Sequence, residues 1–203
     1  MKIAFISDIH GVPSTLSAAL MVIDTLGYDK LVLLGDLLYH GPRNGVPDFY
    51  DPVRVAAILN ERKENIIAVR GNCDAEVDQM MVEFPIMEDY KVLEVEGCRL
   101  KVEGGGSVCP KLPMRLFLTH GHLYNENRWP KSEQWLRDGE SSTSDLQPST
   151  SFVLVHGHTH IPELKNLTSA FRIFNPGSVS LPKGGSSRSF GYFDGTDFKH
   201  YTI

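Results

Sequence analysis

The chain has 203 residues, 41 % apolar and 22 % charged, a balance that supports a buried core without disulfide or metal staples and excludes disordered and fibrous classes. Its length fits one domain over residues 1–203 rather than two. With 20 Lys and Arg against 25 Asp and Glu the formal net charge is −5, and no basic stripe appears, so stable nucleic-acid binding is not expected.

Residues 2–6 read as a short buried strand. Pro13-Ser14-Thr15 then opens a helix with Leu16, Leu20, Ile23 and Leu26 at helical spacing and Gly27 at its end. Residues 30–34 form a second strand, Asp51-Pro52 caps a helix reaching about Arg62, residues 65–69 form a third strand, and 75–81 a short helix. Strands alternating with helices imply parallel βαβ units. From about residue 90 strands dominate: 91–96 and 99–103 on either side of Gly97-Cys98, then 115–118, 152–155, 171–174 and 190–193. No linker interrupts the chain at residue 90, so the later strands should make a second sheet packed on the first. The Ser/Thr-rich stretch 139–151 offers little to bury and reads as a mobile surface loop, whereas Trp129 and Trp135 should pack against the body or a partner subunit.

The longest apolar runs, residues 18–23 and 31–34, fall far short of the ~18 residues of a membrane helix. A carboxylate at Asp8 arrives before a signal-peptide apolar region could finish. Cys73, Cys98 and Cys109 are odd in number and form no CxxC pair, which argues against a disulfide framework or a thiolate zinc site. A cytoplasmic protein with no membrane partner is expected.

Chemistry-bearing residues stand at the carboxyl ends of five strands: Asp8-Ile9-His10, Gly35-Asp36, Gly71-Asn72-Cys73-Asp74, Thr119-His120-Gly121-His122 and His156-Gly157-His158-Thr159-His160. Ligand sites of α/β sheets form beyond those ends, so the groups should converge. Residues two apart share a face of extended chain, so Asp8 and His10 can grip one ion, as can a pair from His156, His158 and His160. Carboxylate, imidazole and amide ligands without thiolate suit Mn²⁺, Zn²⁺ or Fe²⁺. One ion cannot use them all; two ions roughly 3.5–4 Å apart, sharing a carboxylate, would provide the clamp used in phosphoryl chemistry. His40 and His200 lack such company and read as surface histidines.

In order, Asp8-x-His10, Gly35-Asp36, Gly71-Asn72-x-Asp74, His120-Gly121 and Gly157-His158-Thr159-His160 resemble the five blocks of the calcineurin-like metallophosphoesterases. Within that superfamily the chain is similar to small bacterial phosphodiesterases of the YfcE type, through Gly41-Pro42-Arg43-Asn44 and residues 68–74, 84–86, 117–122 and 175–180. Residues 97–113 and 124–150 are longer than the family minimum and are expected to be surface insertions. The resemblance implies an α/β fold, a four-layer αββα sandwich of two mixed β-sheets flanked by helices. It also implies two divalent ions, Mn²⁺ first and Zn²⁺, Fe²⁺ or Ni²⁺ as alternatives. One ion would take Asp8, His10, Asp36 and His160, the other Asp36, Asn72, His120 and His158, with Asp36 bridging and His156 not a ligand. The expected partners are a small phosphodiester substrate and further copies of the chain, as a dimer or tetramer.

The implied reaction is hydrolysis of a phosphodiester by a hydroxide bridging the two ions. The ions, less the two carboxylates and the hydroxide, leave one positive charge, which a diester monoanion neutralises; a monoester would want a further cation such as Arg43. Many relatives have histidine after the ligand asparagine, where it can protonate a leaving oxygen, but here the residue is Cys73. A thiol is a poor acid for that task, ionised Asp74 only accepts, and His122 is the substitute on offer. Asp36, Asn72, Cys73, Asp74 and His122 are therefore the candidate catalytic residues. Competing functions are a non-catalytic scaffold of the retromer-subunit type, which would lack ligand histidines, and a phosphomonoesterase or dinucleoside-polyphosphate hydrolase.

Overall fold

The structure is a computed structural model that describes residues 1–98, 112–130, 151–168 and 171–203. The amino-terminal half runs β1 (Ile3–Ile6), α1 (Pro13–Leu26), β2 (Lys30–Leu33), α2 (Pro52–Asn60), a 3-10 turn (Lys63–Asn65), β3 (Ile66–Ala68) and α3 (Glu76–Gln79). β4 (Tyr90–Cys98), β5 (Leu112–Thr119), β6 (Ser151–Val155), β7 (Pro162–Asn166), β8 (Phe171–Pro176), β9 (Ser189–Phe193) and β10 (Phe198–Thr202) follow. One five-stranded sheet has the order β10-β9-β1-β2-β3 and the other β4-β5-β6-β8-β7. Both are mixed: β1, β2 and β3 are parallel, as are β5, β6 and β8; antiparallel β9 and β10 complete one side of the first sheet, whose other edge is the parallel β3, and antiparallel β4 and β7 form both edges of the second.

Strand alternation divides the core. Ala4, Ile6, Leu31 and Leu33 face α1 and α2, meeting Leu16, Leu20, Ile23, Val55 and Leu59. Ile3, Phe5, Val32 and Leu34 face the second sheet, meeting Leu116, Leu118, Val153, Val155 and Phe174. The two sheets thus share one dry interface, as the unbroken chain at residue 90 leads one to expect. Among the described residues no helix covers the outer face of the second sheet; Trp129 does, buried against Phe117 and Phe152 with ring centroids at 4.9 and 5.3 Å. The tryptophan packs on its own chain.

Some expectations change. β4 runs on through Gly97-Cys98, where a break between two strands was expected, and pairs antiparallel with β5; residues 99–103 lie outside the described residues, as do 139–150 and Trp135. α2 stops at Asn60, two residues before Arg62, and gives way to the 3-10 turn. β7 and β10 carry exposed polar residues on sheet edges and give little apolar signal. His40 is half-buried between the rings of Tyr39 and Tyr50, and His200 is exposed, donating Nε2–H to the Asn175 carbonyl at 2.7 Å.

Candidate metal centre

Both sheets end at one rim. From the first, the loops after β1, β2 and β3 bring Asp8, His10, Asp36 and Asn72; from the second, those after β5 and β6 bring His120, His158 and His160. Six non-glycine residues among those described have positive φ, and five are Asp8, His10, Asp36, His158 and His160, between 49° and 67°. Left-handed backbone is costly for such side chains and is retained where a site requires it. Glycine makes the close approach possible: a Cβ on Gly71 would collide with Asp36 Oδ1, and one on Gly157 with Ser7 Oγ.

The imidazoles are locked with one nitrogen free. His10 Nδ1 lies 2.9 Å from the Tyr39 carbonyl, His120 Nδ1 2.6 Å from that of Leu34, and His160 Nδ1 2.5 Å from that of Leu181. A carbonyl only accepts, so each Nδ1 carries a hydrogen, and the neutral form of each ring would turn a bare Nε2 lone pair inward. There His10 Nε2 and His160 Nε2 stand 3.5 Å apart, and His160 Nε2 is 3.3 Å from Asp8 Oδ1. Asp36 Oδ2 lies 3.7 Å from His10 Nε2 and 3.5 Å from His120 Nε2, between the two groups. His120 Nε2 is in turn 3.1 Å from Asn72 Oδ1 and 3.2 Å from His158 Nδ1.

The opposite carboxylate oxygens are engaged elsewhere. Asp8 Oδ2 accepts the Ser7 hydroxyl at 2.6 Å and the His158 N–H at 3.1 Å, leaving buried Oδ1 with no hydrogen-bond partner. Asp36 Oδ1 accepts the Cys73 N–H at 2.8 Å. A buried set of acceptors pointed at one another is unfavourable by itself and fits cations. The donor atoms of Asp8, His10 and His160 lie mutually within 4.8 Å, as do those of Asp8, Asp36 and His120. Burial raises the Asp36 pKa, but His120, the Cys73 N–H and His10 outweigh it and hold the carboxyl below its ordinary value. Burial pushes His158 and His160 down, toward the neutral form that ligates.

Asp74 is held by backbone groups. Its side chain is buried beneath the loops, where Oδ2 accepts the Asp36 and Gly71 N–H groups at 2.8 and 2.7 Å and Oδ1 that of Leu37 at 2.9 Å. Desolvation raises its pKa to about 6. Both oxygens are thus committed to backbone N–H groups of the loops that carry Asp36 and Asn72. Half-buried Cys73 lines the cleft, and burial together with Asp36 pushes its thiol up to about 12. His122 stands beside His120, ring centroids 5.4 Å apart, with a buried Nδ1 that has no partner; burial and His120 push its pKa down to about 4. His156 turns away into a network in which Asn175 Nδ2 reaches His156 Nδ1 at 3.3 Å, the Gly157 carbonyl at 2.9 Å and Thr159 Oγ1 at 3.0 Å. The cleft above the cluster measures about 920 Å³ and is lined by His10, Asp36, Asn72, His158 and His160, and also by Arg43 and Lys183. Sequence reasoning missed Lys183; its one signal is its place just beyond the Asn175–Ser180 block, in a loop that also follows a strand end.

The model of the calcineurin-like phosphoesterase superfamily domain matches residues 1–197. The chain is 41 % identical over 194 residues to phosphodiesterase YfcE of Escherichia coli, covering 96 % of this chain and 88 % of that one. The solved structure of YfcE, described as a phosphoesterase from E. coli, superposes with a TM-score of 0.71 at 40 % identity, covering 95 % of this chain and 87 % of the other. An archaeal phosphodiesterase, 19 % identical and fully covered on both sides, has a TM-score of 0.60 and shares the fold. The family brings divalent metal ions to phosphoric-ester hydrolysis, and the ring of facing lone pairs between the two sheets is a place built to hold them. The chain belongs to the calcineurin-like phosphoesterase superfamily.

Proposed function

We propose that the protein is a phosphodiesterase using two divalent ions, Asp8, His10, Asp36 and His160 holding one and Asp36, Asn72, His120 and His158 the other. The observation that carries this reading is the position of Asp36 Oδ2, within 3.7 Å of one histidine of each set while Asp36 Oδ1 is tied to backbone. When bound, the ions supply a nucleophile from water at neutral pH and offset charge on the phosphoryl oxygens. Oxygen and nitrogen donors favour Mn²⁺, with Zn²⁺, Fe²⁺ and Ni²⁺ as alternatives.

The chain's own residues then set the preference among esters. Asp74 fixes the loops of Asp36 and Asn72, and the amide of Asn72 is oriented by Nδ2 donating to Cys73 Sγ at 3.1 Å. A thiol raised to about 12 is a weak proton donor, so alcohols that depart unaided are favoured. Small activated diesters meet both this limit and the single positive charge of the loaded site. The filled ligand positions speak against a scaffold without catalysis. Three cysteines, odd in number and too few for a disulfide framework, fit a reducing cytoplasmic setting, and exposed Phe49, Val53, Val77 and Met80 support a homo-oligomer, dimer or tetramer.

The test is a Mn²⁺ titration of chelator-stripped protein with bis(p-nitrophenyl) phosphate and p-nitrophenyl phosphate. Two ions per chain and at least tenfold faster diester turnover are expected. A faster monoester, or a single ion at full activity, would overturn the reading.

A further inference from the structure

Two cations line the cleft outside the ligand set, Arg43 on the loop after β2 and Lys183 on the loop after β8. Both side chains are exposed, and neither has a carboxylate partner among the described residues. Their loops are nevertheless well held. The Lys183 N–H donates to the His160 carbonyl at 3.3 Å, and the Lys183 carbonyl accepts the Ser186 N–H at 3.1 Å and hydroxyl at 2.7 Å, so the lysine is fixed beside a ligand position. Arg43 sits in a turn closed by Asn44 N–H to the Gly41 carbonyl at 3.3 Å and by Asn44 Nδ2 to the His40 carbonyl at 2.9 Å. That turn seats over Cys73: a Cβ on Gly41 would lie 3.2 Å from the sulfur. The acid that shares these walls, Asp78, directs Oδ2 to the Ala75 N–H at 2.8 Å.

Charge then decides what the walls are for. On the reading proposed above, the two ions, Asp8, Asp36, the nucleophile and a diester monoanion together come to neutrality. Arg43 and Lys183, set against Asp78, leave the walls with positive charge that a plain diester does not meet. Cations in excess over the acid on the walls of a concave cleft raise the local concentration of anions, and arginine in particular suits a carboxylate or phosphate. From this placement we infer that Arg43 and Lys183 are specificity residues binding a second anionic group, so that the natural substrate is a phosphodiester with a further phosphate or carboxylate on its alcohol arm. The inference rests on the phosphodiesterase reading for the placing of the scissile group.

Binding of unreactive phosphonates to the Mn²⁺-loaded protein, followed by calorimetry, tests it without turnover. The probes are ω-carboxyalkylphosphonates and alkylene bisphosphonates with two to four methylenes, each compared with the alkylphosphonate lacking the tail. At least one tailed member should bind tenfold or more tighter than its parent, and in the double variant R43Q/K183Q that advantage should shrink to less than threefold. The carboxylate and phosphonate series separate the two kinds of tail. No tailed ligand favoured by threefold in the unaltered protein, or an advantage that survives in the variant, overturns the inference. Failure of the underlying reading shows separately, as absence of Mn²⁺-dependent release of nitrophenolate from bis(p-nitrophenyl) phosphate.

Discussion

His10 and His160, 150 positions apart in the chain, bring their Nε2 atoms to 3.5 Å while the other nitrogen of each ring is bound to a backbone carbonyl. Two lone pairs then face one another, a local conflict that a cation relieves. Removing metal with a chelator should therefore lower the melting temperature, and Mn²⁺ should restore it. At a concentration of about 100 Kd one ion is worth about 2.7 kcal/mol, which for a chain of this size means roughly 5–10 °C. Scanning calorimetry of the stripped and reloaded protein provides the check; equal midpoints would leave the cluster without a metal role.

Asp36 stands between both ligand groups, whereas His160 belongs to one. Asp36→Asn should consequently lose more bound metal and more activity than His160→Ala. Elemental analysis decides: two ions retained by Asp36→Asn would break the bridging assignment.

His156 is tied into the Asn175 network, and the proposed ligand sets do not include it. His156→Ala should keep the metal content of the parent while losing about 1–3 kcal/mol of stability, because it leaves buried polar partners unpaired. Urea unfolding beside metal analysis separates the two effects, and a fall in stoichiometry with the fold intact would restore His156 as a ligand.

In the turn between β9 and β10, Asp194 is partly desolvated, which would raise its pKa, but Lys199 at 2.7 Å, the Thr196 hydroxyl at 2.6 Å and the N–H groups of Asp197 and Thr196 hold it well below the usual carboxylate range. A carboxyl depressed in the folded state stabilises above its unfolded pKa of about 3.9, and that contribution fades as pH falls through the folded value. Asp194→Asn should be about 1 kcal/mol less stable at pH 7, with the gap closing below about pH 4. A gap that stays constant down to pH 2 would contradict this account.

Cys73→His places an imidazole of ordinary pKa near 6.5 where the thiol is now raised to about 12. General-acid assistance is typically worth about 10²–10⁴ when the geometry is right. Hydrolysis of esters with poorly departing alcohols should rise more than that of nitrophenyl diesters; an equal change on both would remove Cys73 from the leaving-group side.

What could be read from the sequence followed from period and punctuation. Short unbroken apolar runs at residues 3–6 and 31–34 and the Pro and Gly limits of α1 show the first sheet and its helices. Polar residues after apolar runs mark the rim where Asp8, Asp36 and His120 meet. β7 and β10 escaped because edge strands present charged and polar side chains to water, so their pattern resembles a loop. Asp74 shares a motif with Asn72, and spacing alone does not tell a carboxylate facing substrate from one buried under three backbone N–H groups. Lys183 was hidden for a related reason: nothing in Leu181-Pro182-Lys183 distinguishes it from a solvated lysine until the fold sets it beside His160.

The proposed ligands are divided between the sheets, Asp8, His10, Asp36 and Asn72 on one and His120, His158 and His160 on the other. Any ion held by both sets is also a mechanical cross-link, tying the two halves of the sandwich at the rim where backbone conformation is most costly. Away from that rim the sheets adhere through the dry layer around Phe5, Val32 and Phe174, which needs no metal. Loss of the ions should thus leave the body intact and open the molecule from one end, like a book whose clasp is released while its spine still holds. Hydrogen exchange would show this as a gradient, with early deuteration of the ligand loops and slow exchange in β1, β2 and β6.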